Sequence, residues 1–332
     1  MSSREVLIIT DGEVRRLLNM EETMETVEQV FREKGYGKTQ MPPKMYLTFD
    51  EYRGDVRVMP SYLKTMDSAG VKIVNVHPDN PIKYGLPTVM AVIVLVDPQN
   101  VVVSSIMDGA YITSMRTGAA AAVATKYLAR KDSKVLGLVG AGVQARTQLM
   151  ALSRVLPDLE EVSVWSLPES TIDAFIDEQE KLYSFGFSRC RSCEDCVSGS
   201  DVISTVTPAT RPMVPFGSVS KGTHINAMGA DAPGKEELDP KVLLSAKIVV
   251  DDMLQAVHSG EVNVPISKGV LKECDIYGEL SEIVTGTKKG RESDSEITVF
   301  DSTGLSLLDV STAAIVYKKA RRENVGTWTK LR

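Results

Sequence analysis

Two hydrophobic rhythms divide the chain, and they change near Ser114. Ahead of that point, Val14, Leu17, Leu18, Met24, Val27 and Phe31 keep mostly to one face. This predicts an amphipathic helix or helix pair after a first strand ending at Ile8 and Ile9. Thr10 or Asp11 is suited to cap it, and Gly35-Tyr36-Gly37 to stop it. Strand-like runs follow at 44–49, 55–59, 70–77, 88–96 and 101–107, parted by turn signals at Arg53-Gly54, 67–69, 78–81 and 97–100. Runs this closely spaced leave no room for crossover helices. The expected product is a mostly antiparallel or mixed sheet with a helix against it, an α+β unit.

The second rhythm begins with SMRTGAAAAVATKYL at 114–128, an alanine-rich segment of high helix propensity that reads as the inter-domain connector. Strand and helix patterns then alternate. Strands are expected at 135–139, 161–166, around Phe187, and at 201–206, 223–228, 246–251 and 297–300. Helices are expected up to Leu156, over 170–185, and as a short helix or turn over 192–200. That order predicts a doubly wound α/β sheet. A last helix at 305–322, through Leu308, Ala313, Val316 and Ala320, is expected to return to the first domain. The expected division is therefore 1–115 with 305–332, and 116–304. The chain shows no internal repeat and no low-complexity segment.

The second unit opens on KVLGLVGAGVQARTQLMAL at 134–152. An apolar run ends in Gly140-Ala141-Gly142, and Ala145, Leu149 and Leu152 recur at helical spacing. Glycine at 140 and 142 permits a sharp turn and close approach of a ligand, while Ala145 lets the helix pack on the strand. The helix N-terminus then offers free N–H groups to a pyrophosphate. The next strand would end at the adenosine ribose, where an acidic residue accepts from the 2′-hydroxyl. Here it runs into Ser166-Leu167-Pro168. Without an acid, and with no arginine following at once, the choice between NAD and NADP stays open, with a tilt to NADP or dual use. Arg146 is a candidate phosphate contact, although a solvated arginine is the commoner case.

At 332 residues two domains are the natural expectation. The net charge of −6, without any Lys/Arg block, argues against nucleic acid as a partner. No apolar run reaches the roughly 18 to 20 residues that span a bilayer, which argues against a membrane partner. The opening MSSREVLIITDGE lacks the marks of a signal peptide, so a cytoplasmic location is expected. Cys190, Cys193 and Cys196 form C-x-x-C-x-x-C, but Cys274 lies far downstream with no histidine beside it in sequence. Ordinary thiols, and no metal, are the better reading.

MPPKMY (41–46), GVKIVNVHP (70–78), TSMRTGA (113–119) and NAMGADAPGKEE (226–237) now matter together. With GAGVQAR, STVTPATRP and VFDSTG they resemble, in order and over nearly the whole chain, the ornithine cyclodeaminase and mu-crystallin family, including its archaeal alanine dehydrogenase branch. The resemblance implies a homodimer whose N-terminal domain supplies substrate contacts and the interface, and whose Rossmann domain binds NAD or NADP. The chemistry needs cations for a substrate carboxylate, and Lys44, Lys72 and Arg116 are the candidates. Lys72 interrupts an apolar strand, and a desolvated lysine can hold a carboxylate or transfer a proton. By resemblance Asp231, just past the strand at 223–228, is the catalytic aspartate. His77, His224 and His258 rank behind it, since such histidines are more often structural. The resemblance places cofactor contacts at Thr88, Arg116, Val143, Gln144, Thr205, Met228, Lys235 and Ser302, with Ser166 in the specificity position. Gly140 and Gly142 follow from the backbone argument alone.

Three activities are compatible with these residues. One is a redox reaction at the carbon–nitrogen bond of a small amino or cyclic imino acid, of the alanine dehydrogenase or pyrroline-2-carboxylate/ketimine reductase type. Another is ornithine cyclodeamination to proline and ammonia with NAD used catalytically. The third is a cofactor-bearing binding protein of the mu-crystallin kind. Cyclodeamination needs help in placing a distal ammonium, and ahead of Met59-Pro60 the inward candidates are Asp55 and Arg57. An inward Arg57 would repel that group, which favours the redox reading. A binding protein has no need of Lys72, Arg116 and Asp231 together.

Overall fold

A computed structural model describes residues 5–330. The first four residues of the stretch read for a signal peptide, and the last two of the 305–332 segment, lie outside them. The chain divides into two compact units, one made of residues 1–116 and 305–332 and the other of residues 117–304.

The first unit runs β1 (Glu5–Ile9), α1 (Asp11–Leu17), α2 (Met20–Gly35), β2 (Thr39–Gln40), β3 (Met45–Phe49), β4 (Gly54–Leu63), β5 (Ser68–Val76), α3 (Asn80–Tyr84), β6 (Val89–Val96) and β7 (Val103–Asp108). The connector α4 (Ala110–Leu128) leads into the second unit. There the order is β8 (Val135–Val139), α5 (Val143–Val155), β9 (Glu161–Trp165), α6 (Ser170–Gln179), β10 (Gly186–Arg189), α7 (Cys193–Val197), β11 (Val202–Thr205), β12 (Thr210–Val214), β13 (His224–Ala227), β14 (Glu236–Leu238), α8 (Pro240–Leu244), β15 (Ala246–Val250), α9 (Met253–Ser259), α10 (Asn263–Ser267), β16 (Gly278–Glu279), α11 (Leu280–Val284) and β17 (Ile297–Asp301). The chain then returns through α12 (Ser306–Glu323) and β18 (Thr327–Lys330).

In the first unit the predicted helix pair is real. Leu18 is the C-cap of α1, and Asn19 caps α2, its side chain accepting from the Glu22 N–H at 2.9 Å. The sheet order is β18-β1-β7-β6-β5-β4-β2, with β3 also on β4. Only the β1–β7 pair is parallel, so the sheet is mixed and mostly antiparallel. Alternation along β4 to β6 buries Arg57, Met59, Leu63, Lys72, Val74, Ala91, Ile93 and Leu95, and α12 packs across these strands. On the opposite face Ile73 lies level with Val58 and Val92, and Ile73 and Val92 are exposed. The expected break at Pro60 does not occur. Pro60 falls where the partner along that edge of β4 changes from β3 to β2, so its missing N–H need not break a ladder.

The second unit holds an eight-stranded sheet, β10-β9-β8-β11-β13-β17-β15-β16, parallel throughout. Strands build outward from β8 through β9 and β10 in one direction and then from β11 through β13 and β15 in the other, with β17 inserted between β13 and β15, which is a doubly wound Rossmann arrangement. It leaves a switch point at the carboxyl ends of β8 and β11. The helix expected over 170–185 stops at Gln179, and the last expected strand, β17, is an interior strand beside β13. Cys193 and Cys196 lie on α7 inside the apolar core of this unit. Among the described residues no helix is long and apolar enough to cross a membrane, and no group of three His, Cys, Asp or Glu side chains could hold a metal ion.

Candidate active site

Period-two alternation in β5 turns Lys72 inward while its neighbour Ile73 points out, so the lysine that interrupts an apolar strand is 1% exposed. Its Nζ lies 2.6 Å from Oδ2 of Asp309 on α12. The other oxygen of that carboxylate accepts from Nε of Arg116 on α4 at 2.9 Å. Two cations and one fully buried carboxylate thus form a chain of ion pairs inside the first unit. Burial pushes the Lys72 ammonium down to about 7; Asp309 opposes this, and the charges of Arg116 and Lys44 add to it. Lys44 is half-buried just ahead of β3. Arg57, also inward, holds Asp55 through Nε at 2.9 Å and Nη2 at 3.1 Å. Thr88 is half-buried ahead of β6, where its carbonyl accepts from the His77 N–H at 2.8 Å.

Asp309 lies outside the motifs that point to the site, yet a signal for it exists in the sequence. It is the one charged residue between Leu305 and Tyr317. A lone acid in an otherwise apolar and hydroxylic helix face needs a buried partner.

In the second unit the glycine turn forms at the switch point. Gly140 has φ +116°, and a Cβ there would sit 3.0 Å from the Val206 side chain, just past β11. Gly142 is the N-cap of α5 with no side-chain cap, and the first turn carries no acid. The leading N–H groups and the positive end of the helix are left for an anion. Ala145 is fully buried, Val143 is exposed, and Oε1 of Gln144 is buried without a partner among the described residues. An uncapped helix start beside an orphaned amide oxygen fits a dinucleotide. Ser166 is buried at the end of β9, its hydroxyl accepting from Thr171 Oγ1 at 3.1 Å. Arg146 is committed elsewhere: Nη1 donates to the carbonyls of Ala141 and Gly142 at 3.1 Å, and Nε to Glu178 at 2.9 Å. It braces the turn.

The remaining candidates line the carboxyl edge of the parallel sheet. Asp231 follows β13 in a loop, about one-third exposed, and pairs with Lys235 Nζ at 2.6 Å. Met228 is buried, and the Ser302 hydroxyl donates to Asp251 at 3.0 Å. The Thr205 hydroxyl donates at 2.6 Å to Glu237, the last residue of the 226–237 motif, which the motif alone does not mark as functional. Glu237 also accepts from Gly229 N at 2.9 Å, Thr207 N at 2.8 Å and Thr207 Oγ1 at 2.7 Å. It ties together the loops after β11 and β13. Glu261 in turn accepts from the N–H groups of Glu237 and Leu238 at 2.8 and 2.7 Å. Burial pushes both carboxyl groups up, and the charge of Glu237 raises Glu261 further.

The histidines fall outside these clusters. His224 is fully buried between Thr298 and Asn226, and burial pushes it down to about 3, so it is a neutral structural group. His77 packs on Gly54, where a Cβ would lie 2.2 Å from its ring, and His258 is exposed on α9.

Comparison with known proteins agrees with this geometry. The model of the ornithine cyclodeaminase/mu-crystallin family matches residues 4–324. The chain is 49% identical over 326 residues to an alanine dehydrogenase of Archaeoglobus fulgidus, covering 98% of each protein. An archaeal alanine dehydrogenase solved as a dimer with bound NAD superposes with a TM-score of 0.94 at 48% identity, over 99% of this chain and 100% of that one. The Thermococcus litoralis Δ1-pyrroline-2-carboxylate reductase in complex with NADH and L-proline gives a TM-score of 0.94 at 39% identity, over 97% and 99%. With the family model matched from Arg4 to Asn324, the chain belongs to the ornithine cyclodeaminase/mu-crystallin family.

Proposed function

We propose that this protein is an NAD(P)-dependent oxidoreductase acting at the carbon–nitrogen bond of a small amino or cyclic imino acid. The observation that carries the reading is the buried cluster of Lys72, Arg116 and Asp309. Two cations, Lys72 and Arg116, meet one carboxylate, and that excess of positive charge suits a substrate carboxylate. Arg116 offers a planar guanidinium for it, and Lys72, poised near neutrality, holds it or exchanges a proton. Thr88, Arg116, Gly140, Gly142, Val143, Gln144, Ser166, Thr205, Met228, Lys235 and Ser302 are assigned to cofactor contact. When bound, the nicotinamide supplies the hydride acceptor or donor. Asp231 takes the proton from the substrate amine in one direction and returns it in the other, with Lys235 beside it to hold its charge.

Arg57 argues against cyclodeamination. It shares the buried face with Lys72 and occupies Asp55, the acid that would otherwise receive a distal ammonium. We also assign a homodimer. Its interface is the exposed face carrying Ile73 and Val92, since the related archaeal enzyme is a dimer and this strip of sheet is apolar.

The test is a substrate panel with both cofactors. Stoichiometric NAD(P)H consumption with pyruvate plus ammonia, or with pyrroline-2-carboxylate, is expected, and Asp231→Asn should abolish it while sparing cofactor affinity. Release of proline and ammonia from ornithine with only catalytic NAD would overturn the reading in favour of the lyase.

A further inference from the structure

We propose that Asp309 is a positioning residue of the substrate site, one that favours the ammonium form of Lys72 and fixes which edge of Arg116 meets the substrate carboxylate. This rests on the functional reading above. The side chain sits on α12 among Leu307, Leu308 and Val310, all fully buried. A carboxylate there is costly unless paired, so packing alone would favour an apolar or hydroxyl residue like its neighbours. It pairs twice, with Lys72 Nζ at 2.6 Å and Arg116 Nε at 2.9 Å. By taking Nε it turns the rest of the planar fork to other partners. The charged groups acting on Lys72 are Asp309 from α12, Arg116 from α4 and Lys44 from the loop ahead of β3. Of these only Asp309 favours the ammonium; burial and both other cations favour the neutral amine. Without Asp309, Lys72 would reach the substrate uncharged and the carboxylate would lose one of its anchors.

The experiment follows the lysine side-chain Cε–Hε signals by NMR in protein carrying 13C-labelled lysine, with Lys72 assigned by its loss in Lys72→Met. The wild-type midpoint is expected near pH 7. In Asp309→Asn it should fall by about one to three pH units. Arg116→Gln, which removes a cation in place of the anion, should raise it and supplies the answer if Asp309→Asn does not fold. In turnover, Asp309→Asn should raise KM for the carboxylate substrate by about tenfold or more at pH 8 and less at pH 6, as expected for loss of one charged anchor. Asp309→Glu should restore much of both. An unchanged Lys72 midpoint in Asp309→Asn, or in both variants, overturns the proposal, as does a KM increase independent of pH. Because the titration needs no substrate, the midpoint shifts in a wild type lacking NAD(P)-linked turnover would still support the role of Asp309 and defeat only the functional reading.

Discussion

Removing the Glu237 carboxylate isolates the clamp that holds the loops after β11 and β13. In Glu237→Ala two backbone donors, Thr207 N and Gly229 N, lose their acceptor, whereas the hydroxyls of Thr205 and Thr207 can rotate to seek another. An unpaired buried donor costs about 1–3 kcal/mol, so the loss should be about 2–6 kcal/mol. Glu237→Gln keeps one oxygen and should cost about half as much. Gly229→Ala attacks the same clamp from the other side, because its Cβ would fall 2.3 Å from Thr207 O and 2.5 Å from Glu237 Oε2. Both single changes release one structure, so their double mutant should be less destabilised than the sum by about 0.5–3 kcal/mol. The assay is urea denaturation followed by fluorescence. The chain has two tryptophans, Trp165 in the second unit and Trp328 in the first, so a Trp328→Phe background reports on the second unit alone. There is also a pH signature. Since burial raises the Glu237 and Glu261 carboxyls, their contribution to stability is full below the unfolded value of 4.5 and is lost as pH rises through the folded values. Glu237→Ala should flatten that slope. A variant within about 0.5 kcal/mol of wild type, or strict additivity with Gly229→Ala, would refute the clamp.

Gly118→Ala should destabilise the second unit by about 1–3 kcal/mol or more in the same denaturation assay, because its Cβ would lie 2.2 Å from the Thr147 carbonyl on α5 and no side chain is available to yield. Wild-type stability would show that α4 and α5 can separate freely. Ile73→Asp places a charge in the exposed apolar row, and the proposed homodimer should then give way to a monomer by light scattering, at unchanged monomer stability. A variant that stays dimeric would remove this face as the interface.

Legibility of the sequence followed the range of the interactions. Strands β1 and β3 to β7, the glycine turn and the return helix were readable because each is written locally, in period-two or period-three-to-four patterns with turn residues between them, whereas the short edge strands β2 and β18 of the same sheet were not expected. Nor was the strand pair β12 and β14. Its members, Thr-Arg-Pro-Met-Val and Glu-Glu-Leu, carry no apolar alternation, and Glu236 and Glu237 are buried against the usual habit of glutamate. Of the donors that hold Glu237, Gly229 lies in the same 226–237 segment, but Thr205 and Thr207 come from the end of β11 and the loop after it, 32 and 30 residues away, which no local window contains. The same holds for Asp309. Its position in the helix was predictable, but Lys72 and Arg116 meet it across 237 and 193 residues of chain only after the sheet has formed.

The pairing of β1 with β18 matches Glu5 with Lys330, so the two ends of the described chain lie one strand spacing apart, about 4.8 Å. A few flexible residues suffice to fuse them. Rewiring the protein in this way, with the order 305–332, then 1–116, then 117–304, would make each compact unit a single uninterrupted stretch. In the natural order the second unit is an insertion in a host whose first and last described strands pair with each other, and a ribosome delivers Asp309 after both of the residues it pairs with.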